Sequence, residues 1–259
     1  MGQSNAKHLI SATRISALLL SFTAALFVWI GLDRFTASIY QQYETEQLSL
    51  SQALTDDLRY SVNMGAELSR TLANSQGLRE FASGQLGDRQ ADKIRTQLEQ
   101  TYQRLIEQRP EIQQIRYIDN QGLESIRVDR THEGIIARYG SDLQFKGDRY
   151  YFSGSINSDD STWISPLDLN VENGQVERPI RPTVRTATKV IGDNGTRGIL
   201  IINFDETSLI NTLKQAIGAS DTWLINQEGY FILSLNNTEW GWMLDNPEHN
   251  APATFDAVW

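Results

Sequence analysis

Residues 112–129, Ile112-Gln113-Gln114-Ile115-Arg116-Tyr117-Ile118-Asp119-Asn120-Gln121-Gly122-Leu123-Glu124-Ser125-Ile126-Arg127-Val128-Asp129, decide the fold. Residues 112–118 read as a strand, Asp119-Asn120-Gln121-Gly122 as a turn, and residues 123–129 as a second strand, so the stretch is a β-hairpin. On the second strand Ile126 and Val128 share one face, while Ser125, Arg127 and Asp129 share the other. A hairpin with one apolar and one polar face implies a sheet whose two sides do different work.

The hairpin has an echo. Trp223-Leu224-Ile225-Asn226-Gln227-Glu228-Gly229-Tyr230-Phe231-Ile232 repeats the order of Arg116 to Ser125, with Gly122 and Gly229 in equivalent turn positions. This fits two tandem modules of one fold, and it also fits ordinary hairpin chemistry. Between the two hairpins, residues 131–148 read as loop or irregular helix. Residues 150–155, 163–169 and 184–191 read as strands, and Asp193-Asn194-Gly195 as a hairpin turn. Residues 198–204 are an isoleucine-rich run suited to a central strand buried on both faces, and residues 206–217 read as helix.

Upstream, the pattern is helical. Leu50, Leu54, Leu58, Val62, Leu68 and Leu72 recur at helical spacing within residues 33–73. Such a stripe packs against the protein's own sheet or against a dimer partner. Gly77, Gly84 and Gly87 break the pattern. A second amphipathic helix presents Ile94, Leu98, Tyr102, Leu105 and Ile106 on one face and stops before Pro110.

Residues 15–32 contain no charged side chain. As a helix they would be about 27 Å long, close to the hydrocarbon thickness of a bilayer. Lys7, His8 and Arg14 precede the run, and Asp33, Arg34, Glu44 and Glu46 follow it. The positive-inside rule then puts the short N-terminus in the cytoplasm and the remainder outside. Trp29 suits an interfacial anchor. The rival is a cleaved signal peptide, but the run is long for one, and Asp33-Arg34 stands where a cleavage site would begin.

The formal net charge of the 259-residue chain is -9, which argues against nucleic acid as a partner. There is no cysteine, so disulfide frameworks and thiol catalysis are excluded. No nucleophile elbow, phosphate-binding loop or His-Glu-x-x-His motif is present; His132-Glu133 lacks a second histidine. His8, His132 and His249 read as solvated surface residues, and Asp56-Asp57 and Asp159-Asp160 as exposed acidic pairs. No catalytic residue, metal site or cofactor is expected.

Four stretches together resemble the double Cache (PDC, PAS-like) periplasmic sensor region of bacterial transmembrane receptors. The first is Ile115 to Asp119 with Gly122, Glu124, Ile126, Arg127 and Asp129. The second is Trp163-Ile164-Ser165-Pro166-Leu167-Asp168-Leu169-Asn170. The third comprises Glu177, Pro179, Pro182, Arg185 and Thr188, and the fourth is the strand of residues 198–205. Glu239 to Leu244 and residues 255–259 also resemble family sequence. Amino-acid-binding members carry an Arg-x-Trp-Tyr signature; Asp148-Arg149-Tyr150-Tyr151-Phe152 stands in its place, so amino-acid binding is not carried over.

The resemblance implies an α+β fold. A cytoplasmic tail (1–14) and a transmembrane helix (15–32) lead into a long helical segment (33–110). A PAS-like antiparallel-sheet Cache module (111–218) and the start of a second one (219–259) follow. The expected role is ligand sensing on the periplasmic side of a bacterial inner membrane, as a homodimer, with the output domain of a diguanylate cyclase or histidine kinase beyond. A non-catalytic dimerisation or protein-interaction domain is the alternative. In such a module one sheet face packs on helix and the other faces a pocket. The candidate ligand-binding residues are Arg127, Arg149, Tyr151, Trp163, Arg185 and Asp205, the ligand being a small molecule of unknown identity. The plainer reading is surface ion pairing for the arginines and core packing for the aromatics.

Overall fold

A computed structural model describes residues 2–172, 174–192, 195–217, 223–234, 238–244 and 246–254. The chain divides into two compact units, Met1–Asp56 and Asp57–Trp259. The first is helical throughout its described residues, as the opening part of α1 (Gly2–Ala73). From Leu19 onward its apolar side chains lie open: Leu20, Phe22, Phe27, Val28 and Trp29 are all exposed. Among the described residues α1 is the one helix long and apolar enough to cross a membrane. The side chains of Lys7, His8, Arg14 and residues 15–18 fall outside the described residues, as do those of Leu50 and Leu54.

In the second unit, the last turns of α1 are followed by α2 (Gln76–Ala82) and α3 (Asp88–Gln108). Next come β1 (Ile112–Asp119), β2 (Glu124–Thr131) and β3 (Gly134–Ala137), a short 3-10 turn (Gly140–Asp142) and α4 (Tyr150–Asn157). The short strands β4 (Thr162–Ile164), β5 (Asp168–Leu169), β6 (Val171–Glu172) and β7 (Gln175–Val176) precede the long pair β8 (Pro182–Gly192) and β9 (Gly195–Asp205). Then follow α5 (Thr207–Ile217), β10 (Leu224–Ile225), β11 (Phe231–Leu233), a 3-10 turn (Gly241–Met243) and α6 (Ala251–Thr254).

The main sheet runs β3-β2-β1-β9-β8-β4, with β5 also on β8. Its pairings are antiparallel. β1 and β9 are central, which is why their side chains are buried on both faces. Ile115 and Tyr117 on β1, Ile126 and Val128 on β2, Leu200, Ile202 and Phe204 on β9 and Val190 on β8 point to one side. There they meet Leu68 and Leu72 of α1, Leu78 of α2, and Ile94, Leu98, Tyr102 and Ile106 of α3, which recur every four residues. Two threonines of β8 also reach α1: the Thr186 hydroxyl donates to the Gly65 carbonyl at 3.2 Å, and Ser69 donates to the Thr188 hydroxyl at 2.9 Å.

The two sequence-equivalent turns share one hydrogen-bond pattern. The Asp119 carboxylate accepts from the backbone N–H of Gln121 and Leu123, and the Asn226 side-chain oxygen accepts from Glu228 and Tyr230. Gly122 and Gly229 close these turns at φ +89° and +85°. The echo in the sequence is therefore an echo in geometry, in a small second hairpin of β10 and β11. Asp193 and Asn194 of the third expected turn, and residues 255–259, lie outside the described residues.

Four local expectations are corrected. Residues 150–155 are not a strand but part of α4. Their aromatic content favours strand locally, yet Tyr151, Phe152 and Ser155 are the buried set, a helical spacing that packing on the sheet selects. Residues 74–88, where the glycines break the helical stripe, still hold the short α2, which Ser75 caps by accepting from the Leu78 N–H. Residues 131–148 contain an edge strand, β3, paired to β2. The expected strand over residues 163–169 is split into β4 and β5 around Pro166, which has no N–H to give the ladder.

Two glycines test this account. Gly84 adopts φ +68° with open space where a Cβ would sit, whereas a Cβ at Gly122 would lie 2.4 Å from the Gly147 Cα. Gly84→Ala should cost about 1 kcal/mol through backbone strain alone. Gly122→Ala should cost clearly more, because the loop carrying Gly147 must move as well. Chemical denaturation midpoints of the two variants measure the difference.

Candidate functional site

The other face of the sheet is divided. At one end Ile118, Ile199, Ile201 and Ala187 form an apolar floor beneath Tyr151 and Phe152 of α4. At the other end the same side of β1, β2, β8 and β9 carries Gln114, Arg116, Arg127, Asp129, Asn203 and Arg185. All six are buried. Buried charge costs heavily unless it is paired, so the partners decide whether this layer is viable.

Every guanidinium in the layer has partners. Arg116, only 2% exposed, donates to Glu124 at 3.1 Å, to the Tyr151 hydroxyl at 3.3 Å and to the Asn203 side-chain oxygen at 3.0 Å. Arg127 donates through Nε to both carboxylate oxygens of Asp129, at 2.9 and 3.0 Å, and its other nitrogens reach Glu124 at 3.4 Å and Glu172 at 3.3 Å. Asp129 also accepts from Gln114 at 2.7 Å and Arg138 at 2.9 Å. Arg185 donates to Asp168, to the Tyr150 hydroxyl and to Asn170. Tyr151 lies between two cations, with the Arg116 and Arg185 guanidinium carbons 5.4 and 5.3 Å from its ring centre.

The electrostatics follow the pairing. Burial works against the Asp129 carboxylate, but Arg127, Gln114 and Arg138 outweigh it and hold its pKa below the ordinary value. Glu172 behaves alike: burial opposes its charge, and Arg127, Arg116 and Lys146 win. Lys146, buried and donating to Gln144 at 2.7 Å, is pushed down, mainly by burial and with Arg116 adding to it.

Beside this layer opens a cavity of about 430 Å³. Its floor is Gln113 and Gln114 of β1 and Arg127 and Asp129 of β2. Its walls are Arg138, Asn170 and Glu172, and its rim includes Thr131, His132, Glu177, Arg178, Pro179 and Arg181. The volume suits a small solute, and every lining residue but Pro179 has a polar or charged side chain.

The structure places the six expected residues in three settings. Arg127 lines the cavity. Tyr151 and Arg185 belong to the buried network next to it but do not line it. The others lie elsewhere. Trp163 packs edge-on to Tyr150, 6.1 Å between ring centres, with its indole over Gly154 of α4. Arg149 is the residue at the N-terminal boundary of α4. Asp205 accepts from the Thr207 N–H at the start of α5 and pairs with Arg181 at 3.7 Å. Sequence reasoning passed over Gln113, Gln114, Glu172, Arg178 and Arg181 as lining residues. The available signal was a strand, β1, buried on both faces yet carrying two glutamines and an arginine. Of the loop prolines, Pro179 stands on the rim and Pro182 opens β8.

Because the folded pKa of Asp129 is lowered, its pairs stabilise the fold above the ordinary carboxylate range, and that contribution is lost as pH falls through it and below. Asp129→Asn should be less stable than the parent at pH 7 by about 1–3 kcal/mol. The gap should close as pH falls below about 4. Denaturation midpoints of both proteins across pH give the comparison.

A family model for the bacterial histidine kinase sensor domain matches residues 41–259. No curated protein matches the chain by sequence. Among solved structures, a Vibrio parahaemolyticus domain assigned to a sensory box/GGDEF family protein is 19% identical, with TM-score 0.63 over 81% of each chain. The extracellular domain of the assigned histidine kinase vpHK1S-Z8 is 19% identical, with TM-score 0.61 over 81% of this chain and 77% of that one. The ligand-binding domain of the Campylobacter jejuni chemoreceptor Tlp3, solved in complex with 4-methylisoleucine, is 14% identical, with TM-score 0.51 over 73% and 67%. These structures share the long helix and antiparallel sheet expected of a Cache-type sensor region. The family match covers most of the chain: it belongs to the bacterial histidine kinase sensor-domain family.

Proposed function

We propose that this chain is the extracytoplasmic solute-sensing region of a bacterial membrane receptor. In this reading residues 15–32 span the inner membrane once, the tail before them is cytoplasmic, and the sheet domain lies in the periplasm. The observation that carries the proposal is the cavity of about 430 Å³ on the sheet face opposite α1, α2 and α3, floored by the buried Arg127–Asp129 ion pair and two glutamines. Several ion pairs and hydrogen bonds restrain each arginine of the layer, and a restrained polar floor orients a solute at little entropic cost. Family membership supports a sensory role, and the Tlp3 complex is an instance of a similar fold holding a small molecule.

β8 supplies a route from the solute side to the helix side. Arg185 faces the polar layer, while Thr186 and Thr188 on the opposite face bond to Gly65 and Ser69 of α1. A solute that favours one arrangement of the polar layer would bias β8, and β8 would bias α1. Homodimerisation through α1 belongs to the same proposal, motivated by the exposure of Tyr40, Tyr43, Leu48 and Tyr60 along that helix.

The test is thermal unfolding of the full chain in detergent or nanodiscs, against a panel of small polar solutes. A cognate solute at about one hundred times its Kd should raise the midpoint by about 5 °C or more. Thr131→Trp, which fills the rim of the cavity at the cost of two turn hydrogen bonds, to the Gly134 carbonyl and from the Glu133 N–H, should abolish the rise. An unchanged response in that variant would move the solute site elsewhere.

A further inference from the structure

Of the carboxylates lining the cavity, all but the exposed Glu133 are already paired with arginine. Asp129 accepts from Gln114, Arg127 and Arg138. Glu172 pairs with Arg127, and Glu177 accepts from Asn170 at 2.8 Å and pairs with Arg181 at 3.4 Å. Glu133 faces exposed His132 at 3.7 Å. The arginines are not all engaged. Arg127 and Arg138 are held by Asp129, and Arg130 is spent on the backbone carbonyls of Ile106, Arg109 and Ile112 around the end of α3. Arg181 is loosely held: its buried Nε stands 3.4 Å from Glu177 and another nitrogen 3.7 Å from Asp205, ion pairs in which neither contact is a hydrogen bond. Arg178 is exposed on the rim and has no partner among the described residues.

The same asymmetry decides the sign of the ligand. Beyond the exposed Glu133, a cationic solute would have to take a carboxylate from an existing ion pair and leave an arginine without its partner, which is costly where the arginine is buried. An anion meets Arg178 without breaking anything, and it draws Arg181 only from two long ion pairs that carry no hydrogen bond. Planar guanidinium groups suit carboxylate and phosphoryl oxygens, which they bind through paired N–H donors. At the floor the demand is reversed. Gln113 is 8% exposed, its amide nitrogen donates to the Arg130 carbonyl at 2.7 Å, and its buried side-chain oxygen has no donor. A ligand that reaches the floor must therefore bring an N–H or O–H.

We infer that the cavity takes a small anion, a carboxylate or phosphate bearing a hydrogen-bond donor, with its charged end on Arg178 and Arg181 at the rim and its donor on Gln113 at the floor. This rests on the cavity being the solute site. The inference also moves recognition away from α4: Arg149, Tyr150, Tyr151 and Trp163 do not line the cavity, and Tyr150 and Tyr151 are committed to Asp168, Arg116 and Arg185.

The test uses the full chain in detergent at constant ionic strength. Malate and inorganic phosphate are the anionic probes, putrescine the cation and glycerol the neutral control. Saturable stabilisation by malate or phosphate is expected, with none by putrescine or glycerol, and the preferred probe separates carboxylate from phosphoryl chemistry. Arg178→Ala, at an exposed position, should weaken anion binding about tenfold or more without altering the unfolding midpoint of the free protein. Arg181→Gln should act in the same direction. Binding of putrescine or glycerol that Thr131→Trp abolishes would overturn the anion assignment and keep the cavity as the site. Anion binding indifferent to Arg178→Ala would do the same if Thr131→Trp still blocked it. Anion binding indifferent to both variants, or no saturable effect of any probe, would overturn the cavity reading along with the inference.

Discussion

Arg116 is the constraint around which the sheet domain is arranged. It sits in the middle of a central strand, almost wholly buried, and its charge must be met inside the protein. Glu124 meets it from the neighbouring strand, Asn203 from the other side, and Tyr151 from above. Each partner is itself held. Glu124 accepts from Arg127 and the Gln144 N–H, Asn203 donates to Gln114, and Tyr151 is flanked by Arg185. Removing Glu124 would leave Arg116 buried without its counter-charge. The polar layer is therefore cooperative, and it fixes the placement of α4 and of the segment around residues 168–172 as firmly as apolar packing fixes the helices on the opposite face.

The parts of this architecture carried by periodicity were readable from the chain alone. The hairpin of β1 and β2, the isoleucine-rich β9 and the amphipathic α3 each have a local pattern that agrees with their final surroundings. The turn equivalence of Gly122 and Gly229 was readable because a turn that needs positive φ shows in sequence as glycine at a fixed offset. What sequence hid was set by tertiary contact. α4 has strand-like composition and becomes helix because Tyr151 and Phe152 must both reach the sheet. β3 is short, and it is a strand only because β2 offers it an edge.

The same distinction separates the candidate residues. Arg127 was legible because strand alternation puts it with Asp129 on the face away from Ile126 and Val128. Arg178 and Arg181 lie in a loop without periodicity, so nothing local marked them. Arg185 and Tyr151 were singled out as residues that touch solute. In the structure they lie behind the cavity, within the buried network beside its floor.

This arrangement divides the protein's charges by their exposure to mobile ions. In salt water, charges more than about 10 Å apart at the surface are largely screened from each other, while pairs sealed in the interior are hardly affected. The Arg116–Glu124 and Arg127–Asp129 pairs are of the sealed kind. Arg178 at the rim is open to bulk electrolyte. Salinity therefore acts on one tier and spares the other: the buried pairs hold from fresh water to brine, while the field of Arg178 at the rim fades as the medium grows saltier.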